Sequence, residues 1–199
     1  MMSCEKCGAL CASRTQIVEP DLPEFGRPCR VLVVGEAPGA DEDAQGKGFV
    51  GRAGRTLHRL LEEHGLHRGY DYGCANIVRC RPPDNRKPSK EEILNCMPNL
   101  VATIAQARPD AVLTVGATAI AALTGIARLE TNIALLKASS HDPVLAALLY
   151  RADLQAAWPR GCGLYAMPHT SPLAWNRNAL DGRKWSEVGK EVVGQLPRR

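Results

Sequence analysis

"RVLVVGEAPGADEDAQGKGFVGRAG", residues 30–54, passes from the apolar run Val31, Leu32, Val33, Val34 straight into a loop of six glycines and four carboxylates. An unbroken apolar run closed by glycine reads as a strand buried on both faces, the habit of parallel sheets that helices cover on either side. After the loop, residues 53–64 place Leu57, Leu60 and Leu61 on one helical face, and Gly65 ends the helix. The alternation then repeats. "GCANIVRC" (73–80) reads as a strand, and Ser89 with Glu92 form a capping box. That box opens a helix carrying Ile93, Met97, Leu100, Val101 and Ile104, which Pro98 is expected to kink or restart. "AVLTVG" (111–116) and "GLYAMP" (163–168) are further strands, "ATAIAALTG" (117–125) and residues 184–196 further helices. The expected fold is α/β: a three-layer α/β/α arrangement around a central four-stranded, mainly parallel sheet, with its chemistry at the strands' carboxyl ends. Residues 126–160 fit least well. They read as helical from Pro143, with an irregular insertion, "LLKASSHDP", before it.

With 199 residues, 45% of them hydrophobic and 23% charged, the chain suits one domain over residues 1–199, with an N-terminal cysteine-bearing arm at 1–29. The start has no apolar stretch long enough for a signal peptide. The longest uncharged run, "AVLTVGATAIAALTGIA", is too short for a span and is broken by Gly116 and Gly125. The expectation is a soluble cytoplasmic monomer without a membrane partner. A net charge of +4 says little alone. Its distribution says more: Arg52, Arg55 and Arg59, then Arg79, Arg81, Arg86, Lys87 and Lys90, then Arg177, Arg183 and Lys184 crowd the glycine- and proline-rich loops, as a polyanion-binding surface requires.

Eight cysteines in such a chain call for metal binding or burial, not a disulfide framework. Cys11, Cys29, Cys74 and Cys162 read as small buried hydrophobes. The pair Cys4 and Cys7 is different, because the arm holding it has few apolar residues to fasten it, so a partner pair is expected. Cys80 and Cys96 are the candidates. Four thiolates suit either a structural zinc or an iron–sulfur cluster, and the second pair, with fifteen residues between, is not a zinc-ribbon knuckle.

The glycine loop is not a phosphate loop. Six residues separate Gly39 from Gly46, Lys47 is followed by Gly48, and Asp41, Glu42 and Asp43 would repel a phosphate placed there. The loop offers instead tight backbone beside a strand end, one aromatic at Phe49, and carboxylates: parts of a site for a small neutral ring and a developing positive charge.

"GEAPGADED", "GKGFVGRAG", "NIVRCRPPDNRKP" and "PHTSPLAWNR", taken in order with the C-x2-C pair, resemble the family-4, iron–sulfur-containing uracil-DNA glycosylases over nearly the whole chain, from Cys4 to Trp185. The resemblance implies a 4Fe–4S cluster on Cys4, Cys7, Cys80 and Cys96, acting as a structural staple since hydrolysis moves no electrons. It implies a pocket for uracil flipped out of DNA, with Phe49 as stacking face and Asn76 as the amide reading the Watson–Crick edge. His169 would donate to the uracil O2 side as the N-glycosidic bond breaks. Ala37 stands where the better-known uracil glycosylases carry an aspartate, leaving Glu36 and Glu42 as candidates on the sugar side. Glu42 is also placed to crowd the C5 edge against thymine's methyl. Asp41 and Asp43 read as solvated or loop-capping acids. Arg86, Ser171 and Arg177 would contact the DNA backbone, and Leu173, with Trp175 as alternative, would enter the vacated stack.

Two departures stand out. The family has proline directly after the histidine, where this chain has Thr170, and the 126–160 segment is longer than expected. The implied reaction is monofunctional excision of uracil from DNA. Excision of hypoxanthine or xanthine is the near variant, and a non-catalytic iron–sulfur DNA-binding module or a redox protein the distant ones.

Overall fold

The structure, a computed structural model, describes residues 4–24, 27, 29–139 and 148–197. Four strands, β1 (Val31–Gly35), β2 (Tyr72–Asn76), β3 (Ala111–Val115) and β4 (Gly163–Met167), form one sheet in the order β2-β1-β3-β4. Every pairing is parallel. All five residues of β1 are buried, and they alternate between two cores. Leu32 and Val34 pack with Met97, Leu100 and Ile104 of α4 (Lys90–Ala107) and Ile120 and Leu123 of α5 (Ala117–Thr124). Val31 and Val33 pack with Leu57, Leu60 and Leu61 of α3 (Arg52–Glu62) and with Val192 and Val193 of the C-terminal helix (Trp185–Gly194). Each such side chain contributes about 1.5–3 kcal/mol by leaving water, so the apolar run of β1 fixes a helix-covered layer on both sides. The three-layer expectation holds, with the sheet wholly parallel.

The chain runs from β1 outward to β2 and returns past β1 to β3, so the crevice beyond the carboxyl ends of β1 and β3 is a topological switch point. Register brings Gly35 opposite Asn76 and Val115 opposite Met167, so these strands end together at that crevice.

Several local expectations are corrected. β2 stops at Asn76, because β1 ends at Gly35; Ile77 and Val78 still donate to the Gly35 and Glu36 carbonyls before the chain turns to Cys80. The Ser89–Glu92 capping box is present, but α4 does not restart at Pro98. The carbonyl deprived of a donor belongs to Leu94, a residue on the exposed side of the helix. "LLKAS" is helix, not irregular: α6 (Leu129–Ser139) continues through it. Its entry is locked by buried Asn132, which accepts from the Thr124 hydroxyl and donates to the Ile126 and Arg128 carbonyls. The helix expected from Pro143 begins outside the described residues; past Leu149 the chain is extended until the short α7 (Ala152–Ala157). Cys29, Cys74 and Cys162 are buried as expected, whereas Cys11 is half-exposed, because α1 (Gly8–Ser13) buries only Leu10. Among the described residues no single helix is long and apolar enough to cross a membrane.

The N-terminal arm is fastened by more than its cysteines. Asp43, buried in α2 (Ala40–Gln45), accepts from the backbone N–H groups of Thr15 and Gln16, and Gln16 donates back to the carbonyls of Asp43 and Ala44. The Ser13 hydroxyl donates to the Arg81 carbonyl. Burial alone would raise the Asp43 carboxyl, but the bonds from Thr15 and Gln16 hold it below the ordinary 3.8. A carboxylate depressed in the fold stabilises above its ordinary pKa and loses that contribution as pH falls through the folded value. Asp43→Ala, leaving two N–H groups without an acceptor, is expected to cost about 1–3 kcal/mol in urea unfolding. The deficit should shrink only as pH falls below the ordinary carboxylate value and through the depressed folded one, where the wild-type carboxylate is itself protonated.

Candidate active site

A cavity of about 400 Å³ opens at the switch point, walled by the 36–54 loop on one side and the His169 loop on the other. Its floor depends on a missing side chain. A Cβ on Gly35 would lie 2.5 Å from Asn76 Oδ1 and 2.7 Å from Phe49 Cζ, so ring and carboxamide both rest on the bare end of β1. The Asn76 amide nitrogen faces Gly48, 3.7 Å from where a Cβ would sit there. Half-buried Asn76 makes no side-chain hydrogen bond among the described residues, so its carboxamide is free to accept and donate into the cavity.

Phe49 takes a backbone conformation that L-residues rarely adopt, with φ of 59°. Such a residue costs on the order of 1–3 kcal/mol and persists only where its surroundings hold it. Here Arg68 donates to the Gly48 carbonyl at 2.6 Å, the His58 ring meets the Phe49 carbonyl at 2.9 Å, and Gly54 of α3 packs so closely on that carbonyl that a Cβ would lie 2.0 Å away.

The carboxylates divide by what they bind. Glu42 accepts from the Gly51 N–H at 2.8 Å through one oxygen and from the Gly39 N–H at 3.1 Å through the other, a staple across the glycine loop. Asp43 ties down the arm, as above, and Asp41 is exposed at the rim. Glu36 lines the cavity one residue beyond β1 with no side-chain hydrogen bond among the described residues. Ala37 is its neighbour in the wall.

His169 presents an edge to solvent but stands in a dense wall; burial pulls its pKa below 6.5, and the charge of Glu36 only partly offsets this. Its Nδ1 accepts from the Ser171 N–H at 3.1 Å. A neutral imidazole accepting at Nδ1 carries its proton on Nε2, so the ring is a fixed donor. Thr170 is buried, and its hydroxyl donates to the Ala53 carbonyl at 2.8 Å, joining the His169 loop to the first turn of α3.

Beyond the cavity, Ser171 caps α8 (Pro172–Trp175), on which Leu173 is 71% exposed. Trp175 packs against Gly189 of α9 (Trp185–Gly194), where a Cβ would approach its ring to 2.5 Å, and so is not free to enter a duplex. Arg177 is exposed. Arg86 lies on the cavity wall, but its guanidinium forks onto Glu92 at 2.7 and 2.9 Å, which neutralises much of its charge. Arg52, on the cavity wall, has no carboxylate partner among the described residues.

The four singled-out cysteines are near enough to influence one another's charge. The thiols of Cys7 and Cys80 both sense the charges of Cys96 and Cys4, and burial raises the pKa of each. Three of the sulfurs accept hydrogen bonds: Cys80 from Arg14 at 3.1 Å, Cys7 from Asn95 at 3.6 Å, Cys96 from Asn99 at 3.5 Å. Among the described residues no group of three or more metal-ligating side chains is closed to the spacing of a bound ion. The donor set is nonetheless all sulfur, with N–H groups aimed at it, which suits a soft thiolate-bound centre.

A parallel α/β sheet thus brings an uncommitted amide, an aromatic ring and a fixed imidazole donor to one cavity at its switch point. The uracil DNA glycosylase superfamily model matches residues 23–191, and the chain belongs to that superfamily. It is 44% identical over 118 residues to a type-4 uracil-DNA glycosylase of Thermotoga maritima (58% of this chain, 59% of that one). It is 40% identical over 117 residues to a type-4 enzyme of Archaeoglobus fulgidus (58% and 56%). A type-5 uracil-DNA glycosylase of Pyrobaculum aerophilum is 29% identical over 214 residues (94% and 87%). The matches to the type-4 relatives thus span little more than half their length.

Sequence reasoning did not anticipate Gly35, His58 or Arg68 as parts of this construction, and it marked Thr170 only as a departure from the family's proline; Gly35 carried a signal by adjoining Glu36. Gly35→Ala is expected to drive a methyl into both Phe49 and Asn76. Overpacking of this kind costs about 1–3 kcal/mol, to be read as a loss of stability in urea unfolding.

Proposed function

We propose that this chain is a monofunctional uracil-DNA glycosylase. The observation that carries the reading is the free Asn76 carboxamide, the Phe49 ring and the His169 Nε2–H bordering one cavity. A uracil flipped from DNA stacks on Phe49, and Asn76 donates to and accepts from its Watson–Crick edge. As the bond from C1′ to N1 breaks, its electron pair passes to the base, and the Nε2–H of His169 stabilises the charge on the uracil oxygen. Glu36, the wall carboxylate without a hydrogen-bond donor of its own, faces the positive charge growing on the sugar. It accepts the proton of the water whose oxygen bonds to C1′, leaving an abasic site. Glu42 keeps the glycine loop in place instead of acting on the sugar. Ser171, Arg177 and Arg52 contact phosphates, and Leu173 fills the gap left in the stack.

Cys4, Cys7, Cys80 and Cys96 would hold a 4Fe–4S cluster, which supplies no redox step to a hydrolysis and serves to join the arm to the 80–96 segment. Their soft donor set and the N–H groups aimed at three of the sulfurs support it. Protein purified without oxygen is expected to be brown and to contain about four irons per chain. Colourless protein with one zinc would replace the cluster by a structural metal ion.

The activity is tested with oligonucleotides carrying one uracil, one hypoxanthine or no lesion, cleaved with alkali after incubation. Breaks at uracil alone are expected; breaks at hypoxanthine alone would reassign the base, and none at either would leave a binding module. In single turnover, His169→Ala should slow paired and single-stranded uracil substrates by similar factors, since it acts after flipping. Leu173→Ala should slow the uracil–adenine duplex far more than the single strand, where unstacking is cheap. Equal losses for Leu173→Ala would remove it from the opened duplex.

A further inference from the structure

Beneath Phe49, and outside the cavity, lies a polar cluster that the chemistry above leaves unused. His58, at the middle of α3, sets its Nδ1 2.7 Å from the Tyr72 hydroxyl and its Nε2 2.9 Å from the Phe49 carbonyl and 2.8 Å from an Arg68 nitrogen. Its ring stacks on that of Tyr72, which is fully buried in β2. Arg68 also donates to the Gly48 carbonyl at 2.6 Å and to Asp21 at 2.8 Å, and Lys47 pairs with the same carboxylate at 3.5 Å. Both carbonyls flanking the left-handed turn at Phe49 are therefore held by one cluster, which draws on the arm, the loop, α3, β2 and the turn before it.

The cluster has a protonation requirement. Arg68 can only donate, so a charged His58, with an N–H at both nitrogens, would oppose it donor to donor. Burial first, then the Arg68 charge, keep the ring below its ordinary pKa, against the bond to the Phe49 carbonyl and the weaker pull of Glu62 and Asp21. A neutral ring has one hydrogen and one lone pair to share among Tyr72, Arg68 and the Phe49 carbonyl. It has enough contacts to be fixed in orientation, and it touches nothing in the cavity.

We infer that His58, with Arg68 and Tyr72 behind it, is a positioning residue that holds the Phe49 ring in the plane needed to stack on a flipped base. The inference rests on the proposed role of Phe49. A role exerted through Phe49 should weaken the grip on the base and leave the grip on the DNA backbone alone.

The test measures equilibrium binding of free uracil and, separately, of abasic-site DNA to His58→Leu, His58→Gln, Phe49→Ala and the double variant Phe49→Ala/His58→Leu. His58→Leu is expected to weaken uracil about tenfold, His58→Gln to recover most of that through its own donor and acceptor, and both to bind abasic DNA as the wild type does. In the Phe49→Ala background, His58→Leu should cost nothing further. If Phe49→Ala itself binds uracil normally, the stacking role fails and the inference with it. If Phe49→Ala binds weakly and His58→Leu costs as much in that background as in the wild type, or if abasic DNA binding falls in step with uracil binding, the stacking role survives and the positioning role does not. Should His58→Leu not fold, Tyr72→Phe, which removes only the hydroxyl at Nδ1, replaces it in the same cycle with an expected loss of about threefold that again vanishes without Phe49.

Discussion

The end of β1 is a tight place that has to hold three things. The backbone of Gly35 hydrogen-bonds within the sheet, the Phe49 ring closes over it, and the Asn76 carboxamide lies beside it, with 2.5 to 2.7 Å left where a methyl group would have to go. Everything else in the site follows from keeping that contact. The ring can reach Gly35 only if the loop doubles back, which requires the left-handed backbone at Phe49, and that in turn requires Gly54 to be bare where α3 crosses the Phe49 carbonyl. Three glycine-dependent approaches thus form a chain from the sheet to the helix. The amide and the ring meet because the two strands ending at Gly35 and Asn76 are in register.

The acid-rich loop makes sense in the same terms. A glycine loop that binds phosphate leaves its backbone N–H groups open to the ligand. Here Glu42 accepts from two of them, at Gly39 and Gly51, and Asp43 accepts from two more in the arm. The carboxylates occupy from within the donors that an anion would use from without. Glu36, held by no donor among the described residues, is then the acid left facing the cavity.

The sheet was legible because β1 is an apolar run, β3 is apolar but for Thr114 and β4 is half so, and α4 because a capping box is a local signal that tertiary context rarely overrides. Pro98 misled, since the cost of a proline depends on whether the orphaned carbonyl can reach water, which no local pattern states. The 129–139 helix was missed because its entry is set by Asn132, a polar residue whose burial is a property of the packed fold. At the site, the residue types bordering the cavity could be chosen from motifs. Which carboxylate is bound and which is free could not, since Glu36 and Glu42 differ only in the backbone donors that reach them. Arg86 illustrates the same limit: its partner Glu92 was visible as a cap, but not as a counter-charge.

Two imidazoles finally divide the labour of the site by the direction of their protons. Both are held below the ordinary imidazole pKa, largely by the dense walls around them, but their neighbours differ. The Ser171 N–H points at Nδ1 of His169 and so commits the proton to Nε2, on the side of the cavity. Nothing comparable commits His58, whose Nε2 has the Arg68 donor and the Phe49 acceptor within 2.9 Å of it. The first histidine is a directed donor, with Thr170 holding its loop by a hydroxyl bond to Ala53 where the family's proline would hold it by ring stiffness. The second meets the Phe49 carbonyl only with its hydrogen on Nε2 and Arg68 only with its lone pair there, so it holds its place between them as a neutral ring.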